Sequence, residues 1–137
     1  MKNAHHKILQ PAAWPRPKGF SQGIAARGQL LFIAGQVGWD TSGRFVSDRL
    51  AGQVKTALEN IVVILAAAGA RPEHVTRLTW YVTSRAEYYA ELADIGAHYR
   101  AVMGRHFPAM SVVQVVALME SEAKVEIEAT GVVPEAD

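Results

Sequence analysis

The chain has 137 residues, of which 50% are hydrophobic and 20% are charged, and its formal net charge is +1. The absence of cysteine excludes disulfides, thiolate metal sites and cysteine nucleophiles. Basic residues form no run and no apolar stretch reaches the length of a membrane span, so we expect a single cytoplasmic domain over residues 1–137, without nucleic-acid or membrane partners.

Short apolar runs between turn signals occupy the first third of the chain. Three prolines keep residues 1–17 as an extended lead-in, because each proline fixes its own φ and disfavours helix in the residue before it. The His5-His6 pair in this lead-in has no further ligand at helical spacing, so we expect no metal site. This part of the chain predicts strands at residues 20–26, 29–35 and, more briefly, 44–46.

The first predicted helix follows directly. Apolar residues recur at helical spacing over residues 50–68, which predicts one buried face. Ser47 or Asp48 can cap its start by accepting a hydrogen bond from a free backbone N–H. Gly69 provides the stop at the other end.

The second half of the chain predicts strand, helix, strand, strand. Ser84 and Glu87 form an S-x-x-E capping box that opens the helix, and Gly104 ends it. An apolar stripe at steps of three and four residues defines the buried face of this helix: Tyr88, Leu92, Ile95, Tyr99 and Val102. The strands are predicted at residues 75–83, 109–118 and 124–133.

The order β-β-α-β-α-β-β predicts an α+β protein in which two helices pack on one face of a mixed sheet. If the other face met water, its strands would alternate apolar and polar residues. Residues 109–118 do not alternate, so the second face needs a cover. Either another copy of the chain or loops folded over the sheet can provide it.

The last predicted strand does alternate. Val125, Ile127 and Ala129 are predicted to face the helices. The alternate side chains face away from them: Lys124, Glu126, Glu128 and Thr130. A carboxylate near a buried interface is costly unless it is paired, hydrated or used in catalysis. Glu126 and Glu128 are therefore either solvated or ion-paired carboxylates, or one of them activates water at a cleft between subunits.

Five segments carry a family resemblance in a fixed order: Lys18-Gly-Phe-Ser-Gln-Gly23, Leu31-Phe-Ile-Ala-Gly-Gln36, Gln53 through Gly69, Phe107-Pro-Ala-Met-Ser111 and Val125-Glu-Ile-Glu-Ala129. Together they resemble the RidA/YjgF family of reactive intermediate deaminases over about residues 18–133. The pairing of FPAxS with VEIEA fifteen or so residues later is the most specific part of the match.

The resemblance implies a chorismate-mutase-like fold, a homotrimer with ligand clefts at the subunit boundaries, and no cofactor. Typical members hydrolyse reactive enamines and imines such as 2-aminoacrylate to a keto acid and ammonia, and other members have been labelled L-PSP endoribonucleases or translation inhibitors. Glu126 matches the glutamate that positions the attacking water, which makes it the candidate catalytic residue.

The chain departs from the family at the remaining site positions. The deaminating type carries arginine in FPAxS, whose fork grips the substrate carboxylate, whereas Met110 has neither charge nor donor. Val112 stands where cysteine is common, and Phe20 keeps the ring of a common tyrosine without its hydroxyl. Gly35 and Trp39 fall near the implied cleft mouth, where Trp39 either stacks on a planar substrate or packs a loop.

These departures leave several functions open. The first is a deaminase for a different or uncharged imine, bound in a more apolar cleft. The second is the same deamination with another cation binding the substrate carboxylate in place of the missing arginine, for which Arg16, Lys18, Arg100 and Arg105 are candidates. The third is a non-catalytic homotrimer that binds a small ligand or a protein. An endoribonuclease or translation inhibitor is the weakest, because the charge and the scattered basic residues do not favour RNA.

Overall fold

The computed structural model describes residues 6–135. His5 and the first residues of the predicted lead-in lie outside this range. Within this range the α-helices and β-strands are, in chain order, β1 (Lys7–Leu9), β2 (Gly23–Ala25), β3 (Gln29–Val37), α1 (Leu50–Ala67), β4 (Val75–Val82), α2 (Arg85–Ala90), α3 (Leu92–Met103), β5 (Ala109–Gln114) and β6 (Val125–Val133), and a short 3-10 helix at Pro72–His74 precedes β4.

A four-stranded mixed sheet in the order β3-β6-β4-β5 forms the body of the molecule. β6 is antiparallel to both of its neighbours, and β4 and β5 run parallel. The parallel pair needs a crossover, which α2 and α3 supply. β1 and β2 form a separate antiparallel ribbon. The predicted α+β class with a mixed sheet is therefore confirmed.

The hydrophobic core lies between the sheet and the two longer helices, α1 and α3. Each contributes one apolar face, as the 3.6-residue periodicity predicts. By length and composition α1 could also cross a membrane, a property that core helices share, and its buried side chains belong to this core. The core includes Val54, Leu58, Ile61, Leu78, Trp80, Ile95, Tyr99, Val125, Ile127 and Ala129.

The start of α1 differs from the prediction. Its N-cap is Arg49, which makes no capping hydrogen bond through its side chain, so the caps predicted at Ser47 or Asp48 are wrong. The Ser47 hydroxyl is already used by the Arg49 N–H at 3.0 Å. Instead, the Ala51 N–H donates to Glu91 Oε1 at 2.9 Å, and Arg49 adds an ion pair to the same carboxylate at 3.5 Å. A carboxylate that is distant in sequence, at the junction of α2 and α3, therefore caps α1.

Glu91 also explains why the predicted second helix is two helices. α2 ends and α3 begins at this residue, whose φ of −105° and ψ of 14° depart from helical values. The break turns Glu91 towards the first turn of α1. The predicted ends hold: Ser84 Oγ accepts the Glu87 N–H at 3.1 Å, and Gly104 stops α3 with a φ of +70°.

Several strands are shorter than predicted. β2 covers three residues and pairs with β1, which lies in the predicted lead-in. Residues 44–46 contribute a single bridge between Phe45 and Trp39. β5 ends at Gln114, and the chain that follows is a loop held by the buried Gln53. Its Nε2 donates to the Glu122 carbonyl at 3.0 Å, and its Oε1 accepts the Lys124 N–H at 2.7 Å.

The sheet has one covered and one bare face. The alternation predicted for β6 is confirmed, since Val125, Ile127 and Ala129 are buried under the helices. Lys124 is an exception, because its Nζ reaches Glu87 on α2 at 3.2 Å. Within residues 6–135 no helix covers the opposite face, and the β1–β2 ribbon borders it only at the end that holds Arg77 and Thr130. Three apolar side chains on or beside it stay exposed: Leu30 (59%), Phe32 (78%) and Val113 (43%).

We predict that Glu91→Ala lowers the free energy of unfolding by about 1 kcal/mol, because the cap of α1 is lost. Asp94→Ala is the matched control. Asp94 also pairs with Arg49, at 3.6 Å, but its side chain is 61% exposed, against 15% for Glu91. The control should stay within about 0.5 kcal/mol of the wild type in urea unfolding. Equal losses in the two variants would contradict a capping role.

Candidate active site

Two carboxylates of β6 stand on the bare face, and their surroundings differ. Glu128 accepts a hydrogen bond from the Tyr81 hydroxyl at 2.7 Å, and this bond raises the pKa of that phenol. Glu126 lies opposite Tyr81 in the strand register, yet within residues 6–135 no donor or cation engages its carboxylate. Of the two, Glu126 is the carboxylate left available to bind water.

A glycine makes room for this carboxylate. A Cβ at Gly35 on β3 would lie 2.3 Å from Glu126 Oε2 and 2.8 Å from its Cγ, far inside van der Waals contact. The strand register shifts between Ile33 and Gln36, so Gly35 sits at an irregularity of the β3–β6 pairing. Two of the predicted site residues, Gly35 and Glu126, are therefore in direct contact.

Three of the other predicted residues, Phe20, Met110 and Val112, gather on the opposite side of the sheet. Met110 and Val112 lie opposite Leu78 and Trp80 in the register, so their side chains share the face that the helices cover. Together with Phe20 they line a cleft of about 440 Å³ at the edge of β5. The remaining lining residues are Lys18, Gly19, Trp80, Tyr88, Tyr89, Leu92, Ile95, Gly96, Tyr99, Arg100 and Phe107.

Aromatic rings form the wall of this cleft, named here the β5-edge cleft. Tyr99 stacks on Phe107 with ring centroids 5.4 Å apart and planes 16° apart, and on Trp80 at 6.3 Å and 27°. The Tyr99 hydroxyl donates to the His106 carbonyl, and burial raises the pKa of this phenol. The stack is thus fixed by packing and by a hydrogen bond, which gives the cleft a rigid, planar wall.

The four candidate cations separate into two pairs. Lys18 and Arg100 line the β5-edge cleft, whereas Arg16 and Arg105 line a neighbouring cavity of about 370 Å³. His106 belongs to this second cavity, where its Nε2 lies 2.6 Å from the Val75 carbonyl and burial lowers the pKa of its ring. If a cation replaces the missing arginine within one chain, the geometry restricts the choice to Lys18 and Arg100.

Trp39 lies apart from the other predicted site residues. Its ring packs on Phe45 at 5.8 Å, its backbone bridges to the same residue, and its carbonyl accepts a hydrogen bond from Asn60 Nδ2 at 3.0 Å. It lines neither the β5-edge cleft nor the cavity beside it. In the isolated chain Trp39 packs a loop, the second of the two roles that the sequence left open.

Sequence reasoning missed most of the aromatic wall. Tyr88 and Tyr99 belong to the predicted apolar stripe, which indicated a core face and gave no sign of a cleft. Trp80 lies in the middle of a predicted strand, a position that indicates core packing, and it is 3% exposed, yet it forms part of the wall. No group of three potential metal ligands occurs in the described part of the chain.

Comparison with known proteins identifies the family. Residues 12–133 match the family model described as Endoribonuclease L-PSP. The chain is 37% identical over 117 residues to a RutC family protein of Pyrococcus horikoshii, covering 84% of this chain and 88% of that protein. It is 31% identical over 108 residues to the 2-iminobutanoate/2-iminopropanoate deaminase of Salmonella typhimurium, covering 77% and 80%.

A solved structure agrees with these matches. A conserved Rid-family protein of unknown function from Yersinia pestis superposes with a TM-score of 0.81 at 35% identity, covering 93% of this chain and 98% of that one. The chain therefore belongs to the RidA/YjgF family, which is also described as the endoribonuclease L-PSP family. The family predicted from the five sequence segments is confirmed.

The contact between Gly35 and Glu126 can be tested by a double-mutant cycle. In a strand, alanine is more stable than glycine by roughly 0.5–1 kcal/mol. We predict that Gly35→Ala yields this gain only in a Glu126→Ala background. In the wild-type background the new Cβ displaces the glutamate, and the gain is cancelled or reversed. Urea unfolding of the four proteins measures the coupling, and additive effects would contradict the contact.

Proposed function

We propose that this protein is a hydrolytic deaminase of reactive enamines and imines derived from small metabolites, with a substrate range altered at position 110. The relatives support imine deamination at the level of the family. The observation that carries the proposal for this chain is the state of Glu126. Its carboxylate stands on the bare sheet face beside Gly35 and without a partner among residues 6–135, which suits it to hold a water molecule.

The proposed chemistry needs no cofactor. Glu126 accepts a proton from the bound water as the water oxygen forms a bond to the imine carbon, and the π electrons of the C=N bond move to nitrogen. Glu126 returns this proton to the nitrogen, which completes the carbinolamine. The C–N bond then breaks with its electrons leaving on nitrogen, the hydroxyl proton passes through Glu126 to that nitrogen so that it departs as ammonia, and the remaining oxygen electrons form the carbonyl. An enamine enters the same route after its tautomerisation to the imine.

We also propose that the working form is a homotrimer with clefts between its subunits. Glu126 and Met110 lie on opposite faces of the same sheet, so within one chain they cannot act on one small molecule. A neighbouring copy that covers the bare face would place its β5-edge cleft near Glu126. The exposed Phe32 and Leu30 support such contact, because apolar side chains grouped on a strand surface favour association.

Met110 alters what the site can bind. A carboxylate placed against this side chain would lose water without gaining a donor, and an unpaired buried charge is strongly unfavourable. The β5-edge cleft therefore disfavours a substrate whose carboxylate must lie at position 110.

A non-catalytic ligand-binding trimer is the alternative function, and it is favoured if replacing Glu126 leaves the protein's properties unchanged. RNA cleavage is less favoured, because the bare face presents the carboxylates of Glu126 and Glu128.

Glu126→Gln tests the catalytic role. We expect the variant to keep its fold and assembly and to lose about a hundredfold or more of the rate of ammonia release, since a general base contributes roughly 10²–10⁴. The substrates are imines generated in solution by an amino-acid oxidase from acidic, basic, neutral and aromatic amino acids.

Glu128→Gln is the control for this test, since it lies on the same strand and face and differs in its hydrogen bond to Tyr81. Its rate should fall much less. Background rates for the wild type with every imine, or equal losses in both variants, would contradict the proposed function.

Met110→Arg tests the altered substrate range. The introduced guanidinium can form two hydrogen bonds to a carboxylate, so we expect about a tenfold or larger gain in kcat/KM for the imine of alanine. Met110→Leu keeps an apolar side chain of similar volume and should show no gain. Thermal unfolding checks that both variants are folded. A folded Met110→Arg protein without any gain would show that position 110 does not limit the range.

A further inference from the structure

The β5-edge cleft has a composition that points to one class of ligand. Six aromatic rings line it: Phe20, Trp80, Tyr88, Tyr89, Tyr99 and Phe107. Its volume of about 440 Å³ falls within the range of roughly 300–1,000 Å³ that is typical of pockets for small organic ligands. An imine with a three-carbon skeleton would leave much of this space empty. The shape and the lining fit a planar or bulky apolar group.

The charge of the lining is one-sided. Lys18 and Arg100 line the cleft, and no acidic residue within residues 6–135 does so. Over the same range, neither cation has a carboxylate within 4.0 Å, although Arg49, Arg71 and Lys124 all form ion pairs. An apolar wall with two unpaired positive charges favours a ligand that carries an anionic group on an apolar body.

A glycine lies beside the guanidinium of Arg100. A helical side chain leans towards the preceding turn, and Arg100 Nη1 accordingly lies 3.2 Å from where a Cβ of Gly96 would stand. Glycine within a helix is destabilising relative to alanine, so its presence here needs a reason. The missing side chain lets the guanidinium lie along the surface of α3, where both residues line the cleft.

We propose that the β5-edge cleft binds aromatic or large apolar carboxylates, and that Arg100 binds the carboxylate in place of the residue at position 110. Lys18 provides a second, weaker attraction, since an ammonium group lacks the two-pronged geometry of a guanidinium. Taken with the proposed deamination, on which this step rests, the substrates are 2-imino acids with an aromatic or large apolar side chain.

Binding of unreactive ligands tests the proposal without any turnover. Phenylacetate, 2-phenylethanol and acetate form a matched set, because the first shares its ring with the second and its carboxylate with the third. Isothermal titration calorimetry on the full chain should show that phenylacetate binds about tenfold or more tightly than either of the others, as a charge-assisted hydrogen bond combined with ring burial predicts. Equal affinity for acetate and phenylacetate would overturn the selection for a ring.

Arg100→Gln should reduce the affinity for phenylacetate about tenfold or more and leave that for 2-phenylethanol unchanged. Arg105→Gln removes a cation from the neighbouring cavity and is the matched control, with no expected change. Arg100 is exposed, so its replacement should not unfold the protein. If both variants bind phenylacetate as the wild type does, Arg100 is not the anchor and the proposal is overturned.

Turnover separates this inference from the proposed function. If phenylacetate binds through Arg100 and the imine of phenylalanine is hydrolysed no faster than in buffer, the ligand class is supported and the deaminase is contradicted. If that imine is hydrolysed equally well by wild type and Arg100→Gln, the deaminase is supported and the role of Arg100 is overturned.

Discussion

The position of β6 between β3 and β4 is the constraint on which the rest of the structure depends. Its apolar residues must face the helices, since Val125 and Ile127 are fully buried there. A strand alternates, so the acidic residues between them are forced onto the other face. A slip of one residue would bury Glu126 and Glu128 under α1 and α3, and the cost of burying unpaired charge forbids it. The core therefore fixes the location of the carboxylates.

This constraint divides the candidate site. β5 pairs with β4 in a register that places the side chains of Met110 and Val112 on the helix-covered face, whereas the Glu126 side chain lies on the opposite face. The aromatic wall and the available carboxylate thus lie on opposite sides of one sheet. In the homotrimer proposed above, a second copy covers the bare face and would also bury Phe32 and Leu30, which are exposed in the single chain.

The sequence predicted correctly those features that depend on residues close together in the chain. The alternation of β6, the apolar face of α1, the cap at Ser84 and the stops at Gly69 and Gly104 all depend on residues close together in sequence. The capping of α1 was predicted wrongly because its acceptor, Glu91, is 40 residues away from Ala51. The loop between β5 and β6 likewise depends on Gln53 of α1, whose side chain donates to the Glu122 carbonyl from a different element. No periodicity encodes such contacts.

The candidate site was also predicted only in part, because its lining comes from residues that are distant in sequence. The resemblance brought together Phe20, Met110 and Val112, yet the aromatic stripe of α3 could not be distinguished from an ordinary core face, because a core and a rigid cleft wall require the same spacing of rings.

The loss of arginine at position 110 also has a different meaning once that wall is known. In a polar cleft it would simply remove an anchor. Against an aromatic wall, Met110 adds apolar surface, which favours a ligand with a large apolar side chain. Ring burial alone discriminates only modestly between ligands. Arg100, which forms no ion pair within residues 6–135, lies in the same cleft and can bind the charged group of a ligand.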